Sequence, residues 1–538
     1  MKKMLAAIVA LCLLIAPAMS LADEATAKET HVITTAISSD PVTMDVLMNN
    51  VTPGNTVTGM LFGGLFKWSE DGTSVVPCYA KDYIVSGDGL TYTITMKDDI
   101  FFSDGTPMDA SDVYYSYMHT LDPKTASTLT TDLWSIKNAK AYCKGEIADP
   151  AEVGIKLVDE KTIEFTIEYP AAWFLSQACV LDIVKEGIYE ENPNWWKDPA
   201  TYVCSGPFML DSYNPLEVYH LRKNPYYENA ANMQVEGVDV VIIEAPETEL
   251  TAYRNGEIDV STNLSVDAIN EYKGSDEYFT VDRLGIQYCD FNCQLPEFKD
   301  PRVRRAFAIS IDREWILESI LETDQKALYG FVPYSQPSLT DPTKSYRDVA
   351  GDLFVEDVEE AQRLMAEAGY PNGEGFPEVE LVVRATDEQK NFAQALQSLW
   401  QENLGVTVTI RTVEASSTYW DELADGKFSI DRSGYTQNYI DPSANLVIWK
   451  SGGNAFENQW PDDEGRTEYN EMFDAAQAMT DPAEREQALI TAEKYLVEMM
   501  PGFPVYSYNT AYLVKPYIQN LNKGVAGSMT WEYITFAE

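Results

Sequence analysis

Val379-Glu380-Leu381-Val382-Val383 puts Val379, Leu381 and Val383 on one side of an extended chain, the period-two pattern of a strand. Phe392, Ala395, Leu396, Leu399 and Trp400 then recur at helical spacing, and Gly405 ends that stripe. Val406, Val408 and Ile410 alternate with polar neighbours as the next strand. Strand, helix and strand at this spacing predict a βαβ unit with parallel pairing. The second half of the chain is therefore read as alternating α/β.

Just upstream, Val358, Ala361, Leu364, Met365 and Ala368 form another helical stripe, closed by Gly369 and then Pro371. A late helix is expected from about Ala483, after Asp481-Pro482, to Met499. The earlier chain carries strand patterns. Tyr92, Ile94 and Met96 share one face, and Ile163, Phe165 and Ile167 alternate with Thr162, Glu164, Thr166 and Glu168.

The N-terminus has another logic. Met1-Lys2-Lys3 precedes an apolar run over residues 4–15, then small residues around Ser20-Leu21-Ala22, then Asp23-Glu24. That order predicts a signal peptide cleaved after Ala22. The run is shorter than the roughly 20 residues of a spanning helix. Cys12 follows bulky Leu11 inside the run, which argues against a lipid-acceptor role. No later stretch is apolar for long enough to cross a bilayer, so no membrane insertion is expected. The expected location is the periplasm or cell envelope.

The chain has 85 Asp and Glu against 39 Lys and Arg, a formal net charge of −46. It lacks the basic patch that nucleic acid requires, so nucleic acid is excluded as a partner. Beyond the signal peptide lie six cysteines: Cys78, Cys143, Cys179, Cys204, Cys289 and Cys293. Their even number permits disulfides outside the cytosol and leaves the pairing open. The three histidines, His31, His119 and His220, are too dispersed for a zinc site, and no metal or cofactor is expected. Neither a Gly-x-Ser-x-Gly elbow nor a phosphate loop occurs, and nothing points to an enzyme. Two catalytic carboxylates cannot be picked from so many, so an exported glycoside hydrolase remains an alternative.

Short stretches then recur in a recognisable order: Met44-Asp45, Met60-Leu61-Phe62-Gly63-Gly64-Leu65, Asp88-Gly89-Leu90-Thr91-Tyr92-Thr93 and Phe102-Ser103-Asp104-Gly105-Thr106-Pro107. Cys204-Ser205-Gly206-Pro207-Phe208, Asn255-Gly256-Glu257-Ile258-Asp259, Pro301-Arg302-Val303-Arg304-Arg305-Ala306, Tyr439-Ile440-Asp441-Pro442 and Leu513-Val514-Lys515-Pro516 follow. Over nearly the whole chain past the signal, this series resembles the large extracytoplasmic solute-binding proteins of peptide and nickel ABC importers, most of all the oligopeptide-binding branch. Local physics agrees in places. Asp112 suits a helix start with Val113 and Tyr117 on one face, and Val303, Ala306 and Phe307 share a helical face that leaves Arg302, Arg304 and Arg305 wet.

The resemblance implies an α/β, two-lobe periplasmic-binding-protein fold with mixed sheets, a hinge and an extra domain. Residues 23–66, 203–288 and 509–538 would build a discontinuous first lobe, 67–202 the extra domain, and 289–508 the other lobe. The implied function is capture of oligopeptides by lobe closure and delivery to ABC permease subunits, by a monomer. A same-fold receptor for an oligosaccharide or a metal chelate is the runner-up.

The resemblance also implies a ligand site. Asn50, Val51 and Thr52 fall in a cleft-lining segment. Arg432, Gly434, Tyr435, Thr436 and Asn438 fall on the family's central ligand strand, and Tyr506 and Tyr508 on an aromatic run. Asn438 stands where the family usually has an Asp that pairs with the peptide's amine. Asp441 is a nearby carboxylate that could substitute. Arg432 is expected either to grip a peptide carboxylate or to pair with an acid of its own chain.

Overall fold

The computed structural model describes residues 31–49, 51–69, 74–171, 173–178, 181–437, 439–453, 459–524 and 529–537. The expected signal peptide, Asn50, Cys179 and Asn438 lie outside the described residues. Within them the fold is mixed α/β, and two hydrophobic cores organise it. One runs from Ile33 through residues 80–240 to Val260 and returns with Val514 to Ile534, while the other runs from Ile286 to Tyr506.

A nine-stranded mixed sheet links the two cores. Ser433–Thr436 lies at one end, followed by Tyr278–Asp290, Gly502–Val514, Val260–Ser261, Val32–Ile37, Gly237–Ile242, Val218–Lys223 and Phe208–Asn214, and the short ninth strand Lys326–Ala327 pairs with Gly502–Val514 off this path. Val32–Ile37 pairs in parallel with Gly237–Ile242, and Tyr278–Asp290 pairs antiparallel with Gly502–Val514. These last two strands, 13 residues each, cross from one core to the other. Their register runs regularly from Tyr278↔Leu513 to Asp282↔Asn509, breaks, and resumes at Ile286↔Ser507. The break falls between the two cores, where a bulge lets the ladder bend.

The expected βαβ unit is present. Val379–Arg384 pairs in parallel with Val408–Val413 across the helix Asp387–Leu404, which ends on Gly405 at φ +70°. The late helix spans Pro482–Met499. Within the first core, Ala80–Val85, Thr91–Met96, Thr162–Thr166 and Ile155–Asp159 form an antiparallel sheet against the helix Ala110–Leu121. That helix is capped by Asp109, and Asp112 completes a capping box from its third position.

One sequence expectation changes. Arg304 is buried, not wet, and donates to the carbonyls of Phe298, Lys299, Met499 and Met500. It satisfies orphan carbonyls at the end of the late helix. Cys78, Cys143, Cys204, Cys289 and Cys293 are free thiols.

Candidate functional site

The strand Ser433–Thr436 continues directly from Ile430–Asp431, which pairs with Val379–Arg384 in the three-stranded sheet. Seven residues therefore connect the βαβ sheet to the end of the long sheet. Ser433 to Thr436 pair with Gly285 to Tyr288, and their opposite edge is unpaired among the described strands. Gly434 and Thr436 are exposed, so the edge is open to an incoming chain. Gly434 packs under Tyr508, where an added Cβ would run into the tyrosine hydroxyl.

Next to this edge lies a cavity of about 710 Å³. One wall is the helix Thr52–Leu61, which turns Thr52, Asn55, Thr56 and Gly59 inward at i, i+3, i+4 and i+7. Leu129, Asp132, Ser176 and Asp182 form a second wall. Arg283 from the bulge between the crossing strands and Gln437 close a third, and Tyr512 and Trp531 contribute apolar surface.

The charges around this cavity are of two kinds. Lys67 and Glu532 are matched, with Nζ 2.6 Å from the carboxylate. Asp132, Asp182 and Arg283 make no ion pair or side-chain hydrogen bond among the described residues, and the Arg283 Nε is buried without a partner. Burial pushes Asp132 up to about 6 and Asp182 up to about 7. A carboxylate that leaves water unpaired favours its neutral form. Asp132 also lies close enough to Tyr435 to add to the effect of burial, which takes that hydroxyl to about 12.

The residues singled out from sequence separate into two groups. Thr52 lines the cavity, Val51 caps the same helix, and Gly434, Tyr435 and Thr436 form the open edge. Arg432, Tyr506 and Asp441 are instead engaged within the chain, Arg432 and Tyr506 in the second core and Asp441 on Arg485. Arg432 is 4% exposed, lies over the Phe392 ring, and its Nη2 donates to Glu388 Oε1 at 2.6 Å and to the Tyr506 hydroxyl at 2.8 Å. Its Nε and Nη1 are buried without partners among the described residues. Asp441 is held by both guanidinium nitrogens of Arg485, at 2.6 and 2.8 Å. Tyr508 donates to Gln287 Oε1 at 3.3 Å beneath Gly434. Sequence reasoning missed Asp132, Asp182, Arg283 and Gln437. Nothing in their spacing distinguishes them, because lacking a partner is a tertiary property.

Comparison with known proteins follows the same outline. The family model for bacterial extracellular solute-binding proteins, family 5 Middle, matches residues 74–457. The dipeptide-binding protein DppE of Bacillus subtilis is 26% identical, over 84% of this chain and 82% of its own. The probable deoxycholate-binding periplasmic protein YgiS of Escherichia coli is 29% identical, over 89% and 88%. The unliganded open form of the periplasmic murein tripeptide-binding protein MppA superposes with a TM-score of 0.79 at 25% identity, over 95% of this chain and 98% of that one. The architecture is that of two-lobe periplasmic binding proteins. With the family model spanning well over half of its length, this chain belongs to the bacterial extracellular solute-binding proteins of family 5.

Proposed function

We propose that this protein captures short peptides between its two lobes, outside the cytoplasm, and delivers them to the membrane subunits of an ABC importer. The observation that carries this reading is the open edge of Ser433–Thr436 beside the cavity. A peptide laid along that edge adds as a further strand. Its main chain supplies the affinity, and the roomy cavity leaves its side chains little restricted. Gly434, Tyr435 and Thr436 would carry the ladder, with Val51 and Thr52 on the facing wall, and the family resemblance adds Asn50 and Asn438 as ligand contacts. The lobes would divide as residues 23–66, 203–288 and 509–538, with 67–202 as the extra domain, against 289–508. The gap between the two cores near residues 282–286 and 507–509 supports that division.

Peptide relatives such as DppE favour this substrate class. The signal-like first 22 residues favour export, and no helix among the described residues is long and apolar enough to cross a membrane. The similarity to YgiS favours a second reading, an apolar carboxylate such as a bile acid. Titration calorimetry with trialanine and with deoxycholate separates the two. Heat of binding with trialanine is expected. Binding of deoxycholate alone would transfer the conclusion to the second reading.

A further inference from the structure

Unpaired charge in a partly enclosed cavity is costly, and folded proteins normally match it. This cavity matches Lys67 to Glu532 and leaves Asp132, Asp182 and Arg283 unmatched among the described residues, Asp132 and Arg283 on different walls. The two do not pair with each other. Both line the cavity together with Gln437, the residue that follows the open edge, and Arg283 precedes Leu284, whose carbonyl accepts from Gln437 N at 2.7 Å. Arg283 also sits in the register break of the two strands that join the lobes. Its carbonyl there accepts from Ser335 Oγ at 2.6 Å, which fixes the backbone while the guanidinium stays free.

We infer that Asp132 and Arg283 are paired charge subsites, Asp132 receiving the ligand's ammonium and Arg283 its carboxylate, so that the preferred guest is a short peptide with both termini free. This rests on the peptide reading above and adds which groups read the ends of the guest. The carboxylate of Asp441 is already taken by Arg485, and Asn438 brings no charge, so the ammonium is matched from the extra-domain wall. A carboxylate on Arg283 is held at the point where the lobes join. Binding there favours the arrangement in which both end groups are engaged at once.

The test uses the full exported chain and three probes: trialanine, N-acetyl-trialanine and trialanine amide. Charge-assisted hydrogen bonds of this kind convert to about 10- to 100-fold in affinity. Acetylation or amidation should each weaken wild-type binding by about that factor. In Asp132→Asn the penalty for acetylation should vanish while the penalty for amidation remains. In Arg283→Gln the reverse should hold. Unimpaired binding of N-acetyl-trialanine by Asp132→Asn shows that this variant is folded. If wild type binds trialanine but Asp132→Asn keeps the acetylation penalty, or Arg283→Gln keeps the amidation penalty, the subsites are wrong and the peptide reading stands. If wild type binds none of the probes, both fall.

Discussion

Asp182 shows how far one residue's surroundings can set its chemistry. Its neighbours are the hydroxyls of Tyr79 and Tyr202, both of which feel its charge, and no cation faces it among the described residues. Burial therefore raises its folded pKa to about 7, from 3.8 when solvated. The folded state gains from protonation, so this contribution to stability is full below about pH 4 and is lost as pH rises through 7. Asp182→Asn should remove that slope. The melting temperature should rise by roughly 1–3 °C at pH 8 and stay unchanged at pH 4, read by calorimetry across pH. Equal shifts at both pH values would mean that the carboxylate is matched in solution. The residue scale is also where sequence reading failed most. Among 85 acidic side chains, the few without a partner look like the rest. Arg304 was misplaced for a related reason: the pattern of its own helix cannot show that the carbonyls of Met499 and Met500 end against it.

At the scale of elements, the sequence was most legible where periodicity and packing are local. The stripe Phe392 to Trp400 and its flanking strands became the parallel unit they predicted, because one apolar face against one sheet settles the conformation. Less legible was which strand ends the long sheet, since Ser433–Thr436 is four residues long and its pairing is remote in sequence. The register break opposite Asn509 has no local signal either. Gly434 is the residue on which the open edge depends. A Cβ there would meet the Tyr508 hydroxyl, and Gly285 approaches the same ring from the neighbouring strand. Gly434→Ala should push the edge away from Tyr508, with a stability loss of about 1–3 kcal/mol in denaturant unfolding and weaker peptide binding. Combining it with Tyr508→Leu should recover part of the stability by vacating the space. No loss in the single variant would show that the strand shifts freely and does not set the ligand's register.

For the whole molecule, the question is what holds the cavity wall of Leu129, Asp132 and Ser176 against the second core when two crossing strands join the cores. An aromatic stack spans that gap. Trp173, packed in the first core, stacks on Tyr439, which follows the open edge, with ring centroids 4.1 Å apart and planes 20° apart. Asp132 and Gln437 line the cavity from the two sides of that gap, so the stack helps to hold the spacing that the proposed ammonium subsite needs. An aromatic pair contributes about 0.5–1.5 kcal/mol beyond its burial, enough to shift an equilibrium between lobe arrangements by roughly 2- to 10-fold. Tyr439→Leu should therefore raise the radius of gyration of the ligand-free protein in solution scattering. Trialanine affinity should fall by a similar factor, because Asp132 and the strand edge no longer face each other for as much of the time. Trp173 emission should change with the same substitution, whereas Trp400 and Trp449, sealed in the second core, should report little. A variant with unchanged scattering and unchanged affinity would mean that the crossing strands alone set the lobe spacing.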